Sequence, residues 1–192
     1  MNSIRVVGVV VEGLEACGIE YMIVGALSSN AYSIGRSTKD ADFVVSLTPG
    51  QLPELMERLG SEFRLDPQLQ LEAITGSSRN VITHLSTGFE IEMFRLNARD
   101  EHHLERFRRR RRQFLREINR EAWLPCAEDV VIQKLRWQRR KDLDDIVNVL
   151  AVSGSLLDWD YLNAWAQKHG TFPLLQNLLK EVPILPDADD VP

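Results

Sequence analysis

Residues 21–45 restrict the fold of this chain more than any other segment does. The apolar run Tyr-Met-Ile-Val ends at Gly25, a stretch compatible with a short helix follows, and Asp40-x-Asp42 then enters a second apolar run. Short apolar runs rich in β-branched residues and bounded by turn residues are typical of strands. Because side chains alternate along a strand, Asp40 and Asp42 leave the same face of the second one. The segment therefore predicts strand, glycine turn, short helix, and a strand that carries two carboxylates.

These residue types suit the binding of phosphate and metal. Gly25 lets the backbone turn tightly beside a ligand, and the helix after it offers free N–H groups to phosphate oxygens. Ser28 adds a hydroxyl donor near the start of that helix. The Cα atoms of Asp40 and Asp42 lie about 6.5–7 Å apart in a strand, and their side chains can meet over metal ions about 3.5–4 Å apart. Since Mg²⁺ favours carboxylate and phosphate oxygens, the segment predicts a magnesium site for a phosphate-bearing ligand.

Such a site usually needs a third carboxylate from another strand. Residues 89–94, Phe-Glu-Ile-Glu-Met-Phe, alternate apolar and acidic side chains. Glu90 and Glu92 therefore share one face of a predicted strand. Alternation alone does not choose between these two glutamates.

The remaining pattern predicts an α+β chain, with a small mixed β-sheet and helices followed by a mostly helical C-terminal lobe. Strands are predicted at 21–24, 41–47, 62–65, 71–74, 80–85 and 89–94, with a hairpin around Asn119-Arg120. Helices are predicted at 3–17, 26–34, 49–59, 100–112, 127–137, 141–150, 158–168 and 172–181. The expected domains are a core at 1–97, a basic helix, hairpin and helical lobe at 98–185, and a flexible acidic tail at 186–192.

Composition excludes several classes of protein. The 192 residues include 23 basic and 28 acidic side chains, and this net charge of −5 argues against a general nucleic-acid coat. Cys17 and Cys126 form no disulfide framework and indicate reduced thiols in a cytoplasmic protein. No apolar run approaches the roughly 20 residues of a membrane span. The N-terminus also lacks the layout of a secretory signal.

Positive charge is concentrated in one segment. Arg108–Arg112 form an uninterrupted run within the predicted helix 100–112. Consecutive residues of a helix point in all directions, so such a run cannot form a single binding stripe. Two interpretations stay open. The arginines are solvated or pair with Glu101, Glu105 and Glu117, or they contact the backbone of a nucleic-acid acceptor.

The order of motifs in the first half of the chain resembles the nucleotidyltransferase superfamily that includes DNA polymerase beta. The turn Gly25-Ala26-Leu27-Ser28 stands where these families have a Gly-Gly or Gly-Ser turn. The sequence Arg36-x-Thr38-x-Asp40-x-Asp42 is similar to their strand entry. Within the superfamily, the pattern is most similar to the minimal and abortive-infection-type nucleotidyltransferases of prokaryotes.

Two later features extend the resemblance to about residue 150. The third acid of the family maps best onto Glu92, between Ile91 and Met93, with Glu90 as its rival. A helix that begins Glu128-Asp129 and carries Lys134 is similar to a later helix of the family.

The resemblance implies an enzyme that transfers a nucleoside monophosphate from a nucleoside triphosphate to an acceptor hydroxyl. It implies that Asp40, Asp42 and Glu92 hold two Mg²⁺ (or Mn²⁺) ions and that Glu92 assists deprotonation of the acceptor. The acceptor is then an RNA such as tRNA, a partner protein or a small molecule. The residues expected to contact the nucleotide are Gly25, Ser28, Arg36, Thr38 and Lys134.

Two departures from the family pattern support an alternative function. Ala26 stands in place of a glycine or serine, and Glu92 stands in place of the commoner aspartate. The alternative is a weakly active or inactive nucleotidyltransferase fold that binds a nucleotide or a partner. Because members of these families often occur in toxin–antitoxin pairs, one half of such a pair is a further expectation.

Overall fold

A mixed β-sheet organises one of two compact units in the computed structural model of this protein, which describes residues 3–74 and 76–183. The sheet unit consists of the described parts of 1–28 and 36–126, and the helical unit consists of 29–35 and the described part of 127–192. The predicted boundary at 97–98 lies inside the sheet unit. The predicted tail, 186–192, lies outside the described residues.

The sheet unit begins with a helix and alternates strands with short helices. Its helices are α1 (Ser3–Ala16), α2 (Gly25–Asn30, which continues into the helical unit), α3 (Gln51–Leu59) and α4 (Glu101–Arg108). Its strands are β1 (Glu20–Val24), β2 (Asp40–Ser46), β3 (Phe63–Leu65), β4 (Gln70–Leu71), β5 (Ser78–His84), β6 (Phe89–Arg95), β7 (Arg111–Leu115) and β8 (Arg120–Leu124).

Six of these strands form the main sheet, in the order β1-β2-β6-β5-β3, with β4 paired to β5. Strands β2 and β6 run parallel, and the other neighbours are antiparallel. The sheet is therefore mixed, as predicted, and its one parallel pair joins the two strands that carry the candidate acids.

The core of the sheet unit lies on one face of this sheet. Apolar residues of α1 at helical spacing, such as Val7 and Val11, pack against the alternate residues Phe43, Ile91 and Met93 of β2 and β6. The opposite face is covered only in part, by a smaller cluster that includes Phe94 and Phe107. This division leaves the acidic positions of β2 and β6 on the less covered face.

The predicted helix over 100–112 is wrong beyond residue 108. Asp100 caps α4 by accepting a hydrogen bond from the backbone N–H of His103 at 3.0 Å, and α4 ends at Arg108. Arg111 and Arg112 instead open β7, which pairs with β8 across the predicted hairpin. Arginine has a good helix propensity, but ladder pairing with β8 decides the conformation of this segment.

Two smaller predictions also differ from the structure. The predicted strand 71–74 is reduced to the two residues of β4, Gln70–Leu71, and the predicted helix 26–34 ends at Asn30 as α2. The hairpin around Asn119-Arg120 is confirmed, with Asn119 at φ 52°, a left-handed conformation that asparagine tolerates better than most residues.

From residue 127 to residue 183 the helical unit contains four helices, as the periodicity predicts. They are α5 (Ala127–Trp137), α6 (Arg140–Ser153), α7 (Trp159–Lys168) and α8 (Phe172–Leu179), with a 3₁₀ turn at Gly154–Leu156. Leu135, Ile146, Leu150 and Leu162 are among the buried residues of its core. No helix in the described ranges is both long and apolar enough to span a membrane.

Candidate functional site

The candidate acids lie side by side on β2 and β6. In the parallel pairing, Asp40 is the register partner of Glu90, and Asp42 is the register partner of Glu92. The residues between them, such as Ala41 and Ile91, are buried on the opposite face of the sheet. Four carboxylates therefore occupy one patch of the less covered sheet face.

Gly25 makes room for the carboxylate of Asp42. Val24, the last residue of β1, is the register partner of Asp42, and Gly25 follows it with φ +66°. A Cβ atom at Gly25 would stand 1.9 Å from Asp42 Oδ2 and 2.9 Å from its Cγ. Because no real Cβ atom approaches a carboxylate so closely, the turn and the aspartate require a glycine at this position.

Thr38 orients the other aspartate. Its hydroxyl donates a hydrogen bond to Asp40 Oδ1 at 2.7 Å and also lies 3.2 Å from the Asp40 carbonyl oxygen. The sequence associates Thr38 with the nucleotide, whereas the structure places its hydroxyl on the carboxylate of Asp40. The threonine thus limits the rotation of a side chain at the edge of the acidic patch.

Glu92 has a perturbed environment. Burial raises the pKa of its carboxyl, and the nearby charges of Asp40 and Glu90 raise it further. Arg79 lowers the pKa of Glu92, since its charged guanidinium donates a hydrogen bond from Nη1 to Glu92 Oε2 at 2.5 Å. A half-buried glutamate whose proton affinity is increased is a candidate for proton exchange with a hydroxyl group of a substrate.

A cleft of about 480 Å³ opens beside Glu92 on the same sheet face. Its volume lies within the usual range for small-molecule sites. The sequence analysis did not single out most of the side chains that line it, because they come from β5 and from the loop around β4. The polar lining residues are Arg64, Asp66, Gln70, Arg79, Thr83, Glu90 and Glu92.

One signal in the sequence could have identified Arg79. Every second residue of β5, namely Arg79, Val81 and Thr83, points to one face of the sheet. Glu90 and Glu92 of β6 point to the same face. The predicted strand begins at Asn80, two residues after the start of β5 at Ser78, and therefore leaves out Arg79. Alternation also does not reveal that β5 lies next to β6.

The other predicted nucleotide contacts are placed as follows. Ser28 is buried, and its hydroxyl donates to the Gly25 carbonyl oxygen at 3.0 Å. Arg36 is exposed in the segment between α2 and β2. Their roles toward a nucleotide stay predictions.

Lys134 belongs to the helical unit, where it is buried. Its Nζ donates to Asp145 Oδ2 at 2.6 Å and lies 3.5 Å from Asp142 Oδ1. The Arg139 side chain also donates to Asp142, at 2.6 Å through Nε and at 3.1 Å through Nη2. The ammonium group of Lys134 is therefore engaged by two carboxylates within its own unit.

Part of the arginine run has a structural role. The Arg110 guanidinium pairs with Glu20 at 2.7 Å and lies over the rings of Phe107 and Trp123, at 4.0 and 5.1 Å from their centroids. Arg112 lies 3.3 Å from Glu15 of α1. These contacts support the interpretation that Arg110 and Arg112, at the C-terminal end of the arginine run, stabilise the fold.

The donor set of the acidic patch suits the predicted magnesium ions. Carboxylate oxygens are the protein ligands that Mg²⁺ prefers. Burial is the main cause of the raised pKa of Glu92, and the nearby negative charges of Asp40 and Glu90, which a divalent cation would relieve, raise it further. Within residues 3–74 and 76–183, however, no three His, Cys, Asp or Glu side chains already converge on one metal position. The patch has suitable ligands, and Glu92 is directed toward Arg79 instead.

Known structures share this architecture. An antigenic nucleotidyltransferase-like protein from Paracoccidioides brasiliensis matches with a TM-score of 0.57 and 18% identity, over 97% of this chain and 96% of that one. The antibiotic-resistance factor ANT(2'')-Ia matches with a TM-score of 0.57 and 10% identity, over 93% of this chain and 97% of that one. At such identities the likeness concerns the fold alone.

The family assignment rests on the sequence of the chain. No curated protein gives a significant match. Residues 14–177 match the family described as nucleotidyltransferase of unknown function (DUF6036), a range that includes Gly25, Asp40, Asp42 and Glu92. The match covers most of the chain, and it agrees with both the predicted superfamily and the observed fold. The chain therefore belongs to this nucleotidyltransferase family.

Proposed function

We propose that this protein transfers a nucleoside monophosphate from a nucleoside triphosphate to an acceptor hydroxyl, with Mg²⁺ or Mn²⁺ as the cofactor. The observation that carries the proposal is the parallel register of β2 and β6, which sets Asp42 beside Glu92. The same register sets Asp40 beside Glu90 on the same sheet face. Membership of a nucleotidyltransferase family supports the general reaction.

The residues of the acidic patch have separate tasks in this proposal. Asp40, Asp42 and Glu92 would hold the cations, whose charge would neutralise the triphosphate. Thr38 keeps the Asp40 carboxylate in one orientation through its 2.7 Å hydrogen bond. Gly25 leaves the space that the Asp42 carboxylate occupies.

Glu92 is the best candidate for the base that takes the proton of the acceptor hydroxyl. Its pKa is raised by burial, which brings its proton affinity closer to the operating pH. It also lines the cleft in which an acceptor of small size would fit. Glu90, its rival in the sequence, is more exposed and has Asp40 as its register partner.

The test is incorporation of labelled nucleotide. The protein is incubated with each of the four nucleoside triphosphates, with Mg²⁺ or Mn²⁺, and with tRNA, protein or aminoglycoside acceptors. Asp42→Asn should abolish incorporation, because it removes a charged ligand of the site. Asp144→Asn is the matched control, since Asp144 lies on α6, its side chain is 64% exposed, and it does not line the cleft. An absence of incorporation and of nucleotide binding with all four bases would overturn the proposal.

A second candidate function is nucleotide binding without turnover. The observation that favours it is the engagement of Glu92 by Arg79, which occupies an oxygen of the third acid that a cation would need. Tight nucleotide binding by a protein that incorporates no label would support this function, and robust turnover would exclude it. An antitoxin-like or toxin-like role belongs with either candidate, and the gene beside this one is its simplest test.

A further inference from the structure

Arg79 reaches the third acid from the neighbouring strand. In the pairing of β5 with β6, Arg79 is opposite Phe94, and Val81 is opposite Glu92. Arg79 and Glu92 are therefore diagonal neighbours on one sheet face, a separation that a long side chain can bridge. The guanidinium carbon lies 5.7 Å from the centroid of the Phe94 ring.

Three nitrogens of this guanidinium are engaged at once. Nη1 donates to Glu92, while Nε and Nη2 donate to Gln70 Oε1 at 3.1 and 2.7 Å. Gln70 is the register partner of Arg79 in the two-residue strand β4. Because the guanidinium is a rigid planar fork, the two bonds to Gln70 fix the direction in which Nη1 points. Gln70 thus aims the arginine at the carboxylate.

The ion pair is accessible enough to be exchanged. The side chain of Arg79 is 30% exposed and that of Glu92 is 17% exposed, and both line the cleft. An ion pair with this much access to water has a modest net stability. A divalent cation with a bound triphosphate could therefore displace the guanidinium.

We propose that Arg79 is a positioning residue that holds Glu92 in the ligand-free protein and competes with the divalent cation for its carboxylate. The proposal rests on the proposed function, because it treats Glu92 as a cation ligand. Arg79 then balances the charge of Glu92 until a nucleotide and its cations arrive. The consequence is a cation affinity that is lower than the carboxylates alone would give.

The test measures Mn²⁺ binding to the intact protein by electron paramagnetic resonance, without any reaction. Arg79→Met keeps most of the length of the side chain and removes its charge. We expect this variant to bind Mn²⁺ about three- to fivefold more tightly, the upper part of the range that corresponds to a partly exposed ion pair. Arg64→Met is the matched control, because Arg64 lines the same cleft and its loss changes the net charge equally. Its Mn²⁺ affinity should change less than twofold.

The possible outcomes separate this inference from the proposed function. If Asp42→Asn abolishes Mn²⁺ binding while Arg79→Met binds like the wild type, the role of Arg79 is overturned and the proposed site stands. Equal tightening by Arg79→Met and Arg64→Met would also overturn it, since only the overall charge would matter. If no variant binds Mn²⁺, with or without nucleotide, both proposals are overturned.

A second substitution covers the case in which Arg79→Met does not fold. Arg79→Lys retains the charge but cannot donate to Gln70 and Glu92 with a planar fork. Its Mn²⁺ affinity should exceed that of the wild type and stay below that of a folded variant without the charge, such as Arg79→Gln. An affinity equal to that of the wild type would contradict the aiming role of Gln70.

Discussion

Replacement of Gly25 by alanine tests the construction of the acidic patch most directly. The new Cβ would stand 1.9 Å from Asp42 Oδ2, so the aspartate has to move to another rotamer. The backbone at φ +66° adds a second cost, because a residue with a Cβ loses about 1–2 kcal/mol in the left-handed region. A displaced side chain adds about 0.5–1.5 kcal/mol. We expect Gly25→Ala to lower the free energy of unfolding by about 1.5–3.5 kcal/mol in total.

Gly18→Ala separates these two costs. Gly18 has φ +62°, and nothing lies within 4 Å of the position that its Cβ would take. This control should therefore lose only the backbone contribution, about 1–2 kcal/mol. Urea denaturation of both variants gives the two free energies of unfolding, and their difference isolates the collision with Asp42.

Activity should distinguish the two variants more sharply than stability does. A displacement of about 1 Å in a catalytic group can cost about 10²-fold in rate. Gly25→Ala should lose at least that much nucleotide incorporation and should weaken Mn²⁺ binding, whereas Gly18→Ala should retain both. Equal losses of stability in the two variants, together with wild-type Mn²⁺ binding by Gly25→Ala, would refute the reasoning.

Three further outcomes are expected. Because burial raises the pKa of Glu92, the Glu92 carboxyl binds a proton more tightly in the folded protein than in the unfolded chain. The free energy of unfolding of the wild type, relative to that of Glu92→Gln, should therefore fall as the pH rises above the ordinary glutamate pKa. Urea titrations from about pH 4 to about pH 8 measure this difference. A flat or rising difference would contradict this. Lys134→Met should lose about 3–5 kcal/mol of stability, since it removes the ammonium group that buried Asp145 and Asp142 share, although Arg139 still donates to Asp142. Unchanged stability with weaker nucleotide binding would instead place Lys134 at the triphosphate. Arg110→Ala should lose about 1–2 kcal/mol in thermal or urea unfolding, whereas Arg108→Ala, whose side chain is 76% exposed, should lose almost none.

Local sequence is sufficient to predict which acidic side chains of this site share a strand face. The two-residue spacing of Asp40 and Asp42 places them on one strand face whatever the rest of the chain does. The same holds for Glu90 and Glu92, and it is the reason that alternation could not choose between them. The sequence predicts a turn at Gly25. The short distance between a Cβ atom added there and the Asp42 carboxylate depends on the pairing of β1 with β2, which sequence alone does not reveal.

The features that escaped the sequence analysis are nonlocal. Arg79 meets Glu92 because β5 lies beside β6, and Gln70 aims it because β4 pairs with β5. The arginine run was interpreted as helical because arginine favours helices locally, whereas pairing with β8 makes Arg111 and Arg112 extended. The position of Lys134 in the sequence predicts a contact with the nucleotide. In the structure its ammonium group is instead buried and paired with Asp142 and Asp145.

The helical unit is built from two stretches that lie far apart in the chain. Tyr32 packs against its apolar core, and the Tyr32 carbonyl oxygen accepts a hydrogen bond from Ser153 Oγ at 2.7 Å. At synthesis rates of about 5–20 residues per second, residues 29–35 wait on the order of 10 s for the helices that complete their unit. A nascent chain arrested near residue 126 therefore lacks the apolar core against which Tyr32 packs. For the same reason, residues 127–183 moved alone into another protein would lack the contacts of Tyr32 with Ser153 and with the apolar core.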